Sequence, residues 1–234
     1  MTFVEIWVRQ YGIPHFTDGL LTEGVEQCYI EWFKMWDDLR KEGAVPPAEY
    51  TVNEGWQMEQ RAISLGDTLM DFNSTNKVAT YEGVMVNQGH TLEIVSFPHQ
   101  PDEKRDGGFV QPSQFIGVYS GTKYPEEAVK FLDFVANDFD CAKTWGYERG
   151  VQVNAKLREK MDSILTGTDA RMNKFIEYAS QHYSPMDGLF PKAYEEVRAE
   201  FLKLSQTIAF GQDSIENACK KFVETANRIL ETKR

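Results

Sequence analysis

The chain has 234 residues, a formal net charge of −11 at pH 7 and a broad hydrophobic fraction of 41%. This length and apolar content suffice for one large domain or two small ones. The negative charge does not suit a nucleic-acid-binding surface, which needs clustered Lys and Arg, and it weakens attraction to anionic membranes.

The three cysteines, Cys28, Cys141 and Cys219, lie far apart in the sequence and form no C-x-x-C pair. An odd and sparse set of this kind is neither a disulfide framework nor a thiolate zinc site. We predict three small, mostly buried side chains. Cysteine usage therefore leaves the cellular compartment undecided.

Two features bear on membranes and export. No apolar run approaches the roughly 20 residues that are needed to span a bilayer. The residues from Met1 to Glu5 have no basic region followed by an apolar stretch, so no signal peptide is expected in this sequence. A mature secreted protein, a cytoplasmic protein and an excised fragment would all begin in this way.

The first strong helical pattern begins at Val25. Apolar residues recur at spacings of three and one as far as Leu39, which is one face of an amphipathic helix. Thr22 is the predicted N-cap. Gly43 ends the helix, and Pro46 prevents it from continuing.

Three later segments are predicted to be β-strands, because they are short, apolar and bounded by residues that end strands. They are residues 68–72, 92–97 and 115–119. The first opens into a polar run, 73–76. Residues 100–108 form a charged segment that ends on glycine, which suits a crossing between subdomains.

A further helix is predicted from Pro125 at the N1 position through Val135, with two glutamates in its first turn. Its apolar residues cover most of the circumference, so this helix is expected to contact protein on more than one side.

The end of the chain is also predicted to be helical. Behind Pro191, a four-three-four apolar spacing runs from Val197 to Ile208. Asp213 and Glu216 form a pair like a capping box, which is predicted to open the last helix.

Common catalytic motifs are absent from the sequence: there is no G-x-S-x-G, H-E-x-x-H, G-x-x-x-x-G-K-[ST] or strand-linked G-x-G-x-x-G. The histidines are scattered, without a partner at the spacing of metal ligands. They are His15, His90, His99 and His182. The glutamate pairs at 126–127 and 195–196 are expected to be solvated residues of helix starts or polar helix faces, rather than a glycosidase acid/base pair.

One stretch has partial calcium-loop spacing. Asp71, Asn73, Thr75 and Glu82 fall at the first, third, fifth and twelfth positions of an EF-hand-like loop. The sixth position holds Asn76, where the sharp turn requires glycine. We therefore predict no metal site and no cofactor.

Several segments resemble, in order and over nearly the whole chain, family 1 extracellular solute-binding proteins of bacterial ABC sugar importers. The segments are 5–12, 32–47, 66–76, 123–134, 149–154 and 211–218. Residues 66–76 are similar to the family's G-x-x-A-M strand and the ligand-side loop that follows it. Residues 123–134 are the most specific match, and 149–154 resemble R-G-V-P-V-N with Gln152 in place of the proline.

The resemblance implies an α/β fold of the periplasmic-binding-protein type (type II), with two lobes closing over a ligand. Family members begin with a lobe of roughly a hundred or more residues that has no counterpart here, so the expected fold is truncated and helix-rich. Residues 1–97 and 155–234 are then the second lobe. Residues 98–154 are the returning segment of the first lobe, and the helix from Pro125 packs on strands outside this sequence.

By the same resemblance, the polar loop after residue 72 faces the ligand cleft. Its candidate ligand-binding residues are Asp71, Asn73, Ser74 and Asn76. Short amides and hydroxyls both donate and accept hydrogen bonds, which suits vicinal sugar hydroxyls, and Asp71 adds a charge-assisted acceptor. The alternative is a hydrated turn. Asn76 replaces the family's cleft tryptophan, so stacking on sugar must come from elsewhere.

Aromatic rings offer apolar faces to pyranose C–H groups, and three are candidates for stacking: Trp7, Phe190 and Tyr194. The last two fall where the family places an aromatic at a late helix start. Trp7, Trp32 and Trp36 also suit a core. The further candidate residues for ligand contact are Ser113 and Gln114, near the predicted hinge, and Glu5.

The function implied is capture of a mono- or oligosaccharide between lobes and its delivery to the membrane permease of an ABC importer, without catalysis. The expected partners are a carbohydrate, the permease subunits and the missing first lobe, and no nucleic acid. The expected location is extracellular, at the cell surface or periplasmic, with a lipoprotein anchor on the full-length protein. Two alternatives stay open: a hydrolase or lyase acting on carbohydrate, and a helical interaction or scaffold domain.

Overall fold

The computed structural model describes residues 1–55, 57–86, 89–90, 92–112, 114–147 and 150–233. The described elements are mostly helical, in agreement with the helix-rich fold that was expected. The α-helices are α1 Thr2–Gln10, α2 Val25–Lys41, α3 Ala48–Asn53, α4 Ala62–Leu65, α5 Val78–Met85, α6 Pro125–Asn137, α7 Phe139–Trp145, α8 Ala155–Asp162, α9 Gly167–His182, α10 Tyr194–Ala209 and α11 Ile215–Thr232. Two short 3₁₀ turns lie at Met58–Gln60 and Thr75–Lys77.

A two-stranded antiparallel hairpin follows α1. Strands β1 (Phe16–Thr17) and β2 (Leu20–Leu21) pair with Phe16 opposite Leu21. Asp18 and Gly19 both have positive φ, at 50° and 77°. An Asp-Gly pair with positive φ at both positions matches the twist of the two strands it joins, so the local sequence determines this hairpin.

The main core lies between α1, the hairpin, α2, α10 and α11. Its residues are Val4, Val8, Leu21, Val25, Cys28, Tyr29, Ile30, Phe33, Ala193, Val197, Phe201, Leu204, Ile208, Ala218, Cys219, Phe222, Ala226 and Leu230. The periodic positions predicted for the helices near 25–39, 197–208 and 215–229 supply most of this set. These three helix predictions are confirmed. The prediction that the three cysteines are mostly buried side chains is also confirmed, because all three are buried.

Two smaller apolar clusters lie outside the main core. The second cluster joins Ala142, Tyr147, Leu157, Met161 and Met172 of α7, α8 and α9 and the turn after α7. It therefore contains residues from both sides of the predicted lobe boundary at 154. The third cluster joins Ile63 with Tyr81 and Met85 of α5. The third cluster supports the polar segment 71–76 from below, as described in the next section.

The three predicted strands are not strands in the structure: residues 68–72, 92–97 and 115–119 carry no β-ladder. A strand persists through backbone hydrogen bonds to a neighbouring strand, and in the described part of the chain no segment pairs with these three. The first two still meet through side chains, because the rings of Phe72 and Phe97 stack with centroids 5.1 Å apart. Strand propensity was present in these segments, but a pairing partner was not.

The helix predicted from Pro125 is confirmed as α6, yet none of its residues is buried. Val129, Phe131 and Phe134 are exposed, as is most of the preceding segment, including Phe115 and Tyr119. The apolar side chains of α6 predicted contact with protein on more than one side. The residues that the structure describes do not cover them.

Two predicted caps differ from those observed. Gly24, with φ at 87°, is the N-cap of α2; Thr22 instead accepts a hydrogen bond from the Val25 amide through its carbonyl oxygen. Ser214 caps α11 by accepting from the Asn217 amide at 3.3 Å. Asp213 lies one residue too early and accepts from the Asn217 side chain. Spacing alone suggested Thr22 and Asp213 as N-caps, whereas the observed N-cap residues are Gly24 and Ser214.

Candidate ligand-binding site

The polar segment 71–76 lies on the surface. Asp71, Asn73 and Ser74 are exposed, and Asn76 is half-buried. Ser74 is the N-cap residue of the 3₁₀ turn at Thr75–Lys77, which leads directly into α5. The segment is therefore accessible to a solute and is anchored at its far end by a helix.

Asn73 is held in one orientation by three hydrogen bonds. Its side-chain Nδ2 donates to Asp71 Oδ2 at 3.2 Å and to the Tyr81 hydroxyl at 3.0 Å. Its Oδ1 accepts from the Ser74 backbone amide at 3.0 Å. These contacts bring two predicted site residues, Asp71 and Asn73, together and fix the loop before any ligand arrives.

Tyr81 is a member of this site that sequence reasoning missed. Its ring is buried in the third cluster, and its hydroxyl lies beneath the loop. Burial raises the pKa of Tyr81, the Asp71 carboxylate adds to the rise, and Arg61 opposes it. Arg61 in turn pairs with Glu54 at 2.8 Å. Only the spacing of eight between Asn73 and Tyr81 could have suggested the contact, and it forms no recognised motif.

An aromatic chain lies behind the loop. Phe72 contacts Phe3 of α1, with centroids 6.0 Å apart, and Trp36 of α2 at 5.9 Å. From Trp36 the edge-to-face contacts continue through Trp32 to Trp7, at 5.5 and 5.7 Å. Aromatic pairs in this geometry contribute about 0.5–1.5 kcal/mol beyond their area burial. These ring contacts therefore hold Phe72, which directly precedes Asn73, against α1 and α2.

Trp7 lies at the end of this series of ring contacts, and Phe72 lies at the other end. Its indole nitrogen donates to the Cys28 carbonyl at 3.0 Å, and its half-buried ring packs on the main core. Trp32 also packs on this core, as predicted, whereas Trp36 is half-buried and contacts Trp32 and Phe72. The structure thus gives Trp7 a packing role and does not bring it beside Asn73.

Phe190 and Tyr194 form a stacked pair, with ring centroids 4.1 Å apart and planes at 19°. The edge of Phe16 also packs on Tyr194, at 6.1 Å. Tyr194 is buried, whereas Phe190 is half-buried. The arrangement leaves Phe190 as the outer ring and Tyr194 as its support, which is a geometry suited to stacking on one sugar face.

Glu5 is buried, with 4% of its surface exposed. Burial raises the pKa of Glu5 to about 7, against the charge of Arg9, which lowers it, and with the charge of Asp187, which raises it. Its Oε2 accepts no hydrogen bond from the described residues. A carboxyl in this position changes its charge near neutral pH, and it is not accessible to a solute in this arrangement.

Beside Glu5, a buried charge network ties three distant segments together. Arg9 is fully buried and pairs with Asp187 at 2.7 Å, and Arg105 contacts the same carboxylate at 2.6 and 2.7 Å. Arg9 also donates to the Gly107 carbonyl at 2.8 Å and to the Ser184 hydroxyl at 2.7 Å. Burial alone would raise the pKa of Asp187, but the two arginines outweigh it and lower that pKa.

The network depends on close packing of the segment 104–108 against α1. A Cβ atom on Gly107 would lie 2.1 Å from the carbonyl oxygen of Ile6, so a side chain cannot fit there. Lys104 donates its backbone amide to the Gln10 carbonyl at 2.8 Å. The sequence contained no local signature of this network, because its members are about 80 to 180 residues apart along the chain.

Helix α1 has candidate residues near two of its sides. Phe3 contacts Phe72 beside the loop, while Glu5 lies next to Arg9 and Asp187. Residues two apart on an α-helix point to different sides. The loop and the Arg9–Asp187 network therefore adjoin different sides of the same helix.

The remaining predicted contacts are not brought into either group. Gln114 is exposed and makes no side-chain hydrogen bond to any other residue that is described. Ser113 lies outside the described residues. Glu82, the last position of the calcium-like loop, pairs with Arg171 and accepts from Thr168. Among the residues described, no three acidic, histidine or cysteine side chains are grouped as metal ligands would be.

The glutamate pairs behave as their helix positions predicted. Glu126 and Glu127 are exposed in the first turn of α6. Glu195 pairs with Arg198, and Glu196 contacts Lys233. Across the described ranges, no helix is both long enough and apolar enough to cross a bilayer.

The sequence family and the solved structures that this chain matches agree with each other. Residues 3–159 match the sequence family described as bacterial extracellular solute-binding protein. A family 1 extracellular solute-binding protein from Alicyclobacillus acidocaldarius is 25% identical, with a TM-score of 0.79 over 98% of this chain. A periplasmic solute-binding protein from Pectobacterium atrosepticum is 20% identical, with a TM-score of 0.87 over 100% of it.

A third structure is a periplasmic oligogalacturonide-binding protein from Yersinia enterocolitica, 19% identical over 99% of this chain, with a TM-score of 0.80. In each case the match covers 58% of the other protein, so this chain spans less than two thirds of those relatives. The predicted periplasmic-binding-protein-like fold, truncated and helix-rich, is confirmed. The chain belongs to the bacterial extracellular solute-binding proteins.

Proposed function

We propose that this member of the bacterial extracellular solute-binding proteins captures a mono- or oligosaccharide and presents it to the permease of an ABC importer, without altering it. The observation that carries the proposal is the exposed polar segment 71–76, whose amide and carboxylate groups are pre-oriented by Tyr81. Groups that can both donate and accept suit the hydroxyls of a sugar. The oligogalacturonide named for the Yersinia enterocolitica relative supports the carbohydrate class.

The ligand site that we propose has two parts. The loop supplies hydrogen bonds from Asp71, Ser74 and Asn76, and Phe190 supplies a stacking face. Glu5 then acts on the site indirectly, through the charge network around Arg9, rather than by direct contact with the ligand. Trp7, Asn73 and Tyr194 support the groups that touch sugar, and Ser113 and Gln114 approach the ligand only when the first lobe closes on the second.

The division into two lobes rests on the exposed apolar side chains of α6 and of the segment before it, among them Phe115 and Phe131. We propose that residues 98–154 belong to a first lobe, most of which lies in sequence that this chain does not contain, and that residues 1–97 and 155–234 form the second. The exposure of Phe131 and Phe134 supports this division, as does the 58% coverage of relatives.

Closure of two lobes over a ligand is driven by differential affinity for the closed state, and it needs no cofactor. Presentation at a membrane places the protein outside the cytoplasm, extracellular or periplasmic, held there by a lipoprotein anchor. Sequencing the gene upstream of Met1 tests this part, because it should encode an export signal followed by a first lobe.

The binding proposal is tested by calorimetric titration of the full-length protein against a panel of neutral and acidic oligosaccharides. One saturable ligand is expected, and replacing Ser74 and Asn76 by alanine should weaken its binding by a factor of about 5 to 150, because each lost hydrogen bond to ligand is worth roughly 0.5–1.5 kcal/mol. The matched control replaces Ser163 and Asn137, which lie outside the loop, and should leave affinity unchanged. Absence of binding across sugars, peptides and polyamines would refute the proposal.

The alternative of a carbohydrate hydrolase or lyase makes a different prediction. Such an enzyme would convert the bound glycan on prolonged incubation. Recovery of the ligand intact, by mass spectrometry after binding to saturation, excludes that alternative.

A further inference from the structure

We infer that Tyr81 is the positioning residue of the ligand loop, and that it acts on ligand through Asn73 and Asp71 rather than by contact. This inference rests on the proposed function. It assigns to the tyrosine hydroxyl the task of fixing which oxygen atoms of the loop face the solute.

The hydroxyl of Tyr81 is joined to the loop through Asn73. It accepts from Asn73 Nδ2 at 3.0 Å, and the same nitrogen donates to Asp71 Oδ2 at 3.2 Å. A tyrosine hydroxyl can accept a hydrogen bond as well as donate one. One amide nitrogen of Asn73 therefore links the Tyr81 hydroxyl to the Asp71 carboxylate.

The ring of Tyr81 cannot move the hydroxyl away from these partners. Only 4% of the residue is exposed, and the ring packs with Ile63 and Met85. Met58 and Leu92 close the cluster from outside. A buried ring in close-packed surroundings has few rotamers available, so the position of the hydroxyl is set by the apolar cluster.

Asn73 then transmits that position to the loop. Both its amide oxygen and its amide nitrogen are occupied, by Ser74, Asp71 and Tyr81. The groups of the loop that remain for ligand are the second oxygen of Asp71, the Ser74 hydroxyl and the Asn76 amide. Because the Ser74 backbone amide donates to Asn73, a rotation of Asn73 would displace Ser74 as well.

The experiment replaces Tyr81 by phenylalanine in the full-length protein, which removes the hydroxyl and keeps the ring. Affinity for the glycan identified by titration should fall about tenfold, as expected for losing roughly one oriented hydrogen bond. Tyr147→Phe is the matched control. Its hydroxyl, also buried, donates to Asn173 at 3.1 Å and makes no hydrogen bond to a described residue of the loop, so affinity should stay within about twofold.

A double-variant cycle separates positioning from general stability. If Tyr81 acts through Asn73, adding Tyr81→Phe to Asn73→Ala should change affinity by less than about twofold, since coupled residues are not additive. Full additivity of the two substitutions would overturn the inference, because a purely structural tyrosine would weaken binding independently of Asn73.

A ligand-free measurement distinguishes failure of this inference from failure of the proposed function. The side-chain amide protons of Asn73, observed by NMR, should exchange with solvent more slowly in the wild type than in Tyr81→Phe, whatever the protein binds. Unchanged exchange would overturn the positioning role even if a glycan binds. Faster exchange in a protein that binds no glycan would retain the positioning role and refute the carbohydrate function.

Discussion

Helices α11 and α6 have similar apolar content but different surroundings. Helix α11 buries five residues against α2 and α10, among them Phe222 and Cys219. Helix α6 buries none, and Phe131 in its middle is 60% exposed. An amphipathic pattern therefore establishes that a helix has an apolar surface to cover, but it does not establish that the covering protein lies in the same stretch of sequence.

The largest expected difference comes from truncating one phenylalanine in each helix. Phe222→Ala should lower the free energy of unfolding by about 3–5 kcal/mol, because it leaves a cavity in a packed core. Phe131→Ala should change it by less than about 0.5 kcal/mol, as for an exposed position. Urea denaturation of this chain measures both. Equal losses would show that α6 is packed in solution and would break the contrast.

A smaller loss in the free energy of unfolding is expected from a substitution in the charge network around Arg9. Asp187→Ala leaves Arg9 buried without its carboxylate, which should cost about 2–3 kcal/mol, less than for a fully buried pair because Asp187 is partly exposed. Glu200→Ala removes an acid that pairs with Lys203 on the surface of α10. That control should show no measurable loss in the same denaturation series. A comparable loss from both variants would contradict the distinction.

The pH dependence of stability should report Glu5. Its pKa in the folded chain is raised from 4.5 to about 7, so the folded state holds a proton that the unfolded state releases. This contribution to stability is present below about pH 4.5 and is lost as the pH rises to about 7, by roughly 2–3 kcal/mol.

Glu5→Gln cannot titrate and should flatten that part of the profile. Denaturation of both proteins from pH 4.5 to 8 measures the difference between them. Arg9, Asp187 and the chain's amino group face Glu5, and they are common to both proteins, so the difference isolates the carboxyl. Parallel profiles would mean that the pKa of Glu5 is the same in the folded and the unfolded state.

The smallest effect is expected on the surface between α2 and α11. Lys34 pairs with Glu216 at 2.7 Å, with both side chains more than half exposed. Lys34→Gln should leave the unfolding midpoint unchanged within error, because solvent screens exposed ion pairs. A clear loss would show that charge, as well as apolar burial, holds these helices together.

The local parts of the fold could be predicted from the sequence. Periodic apolar spacing identified α2, α10 and α11, because the buried face of an amphipathic helix consists of residues three and four apart. Helix α6 was identified from Pro125 at its start and the glutamates of its first turn. The strands at 68–72, 92–97 and 115–119 were predicted wrongly. Strand propensity is local, whereas a ladder requires a partner that the described residues do not provide.

The candidate site was predictable only where its residues are adjacent in sequence. Asp71 and Asn73 were recognised from their polar run, and the structure joins them. Tyr81, Arg61 and Asp187 were missed, because their contacts depend on how the third cluster and the Arg9 network bring segments together. The functional assignment of all these residues stays a prediction.

The buried cysteines have a practical consequence for measuring motion between lobes. Burial raises the pKa of Cys28 to about 11 and that of Cys219 to about 12, and Cys141 is likewise enclosed. Electrophilic dyes react with thiolate, which Cys28 and Cys219 hardly form at neutral pH, and Cys141 is shielded by its burial. Fluorophores for energy transfer can therefore be attached at cysteines engineered on the outer surface, with the native thiols left in place.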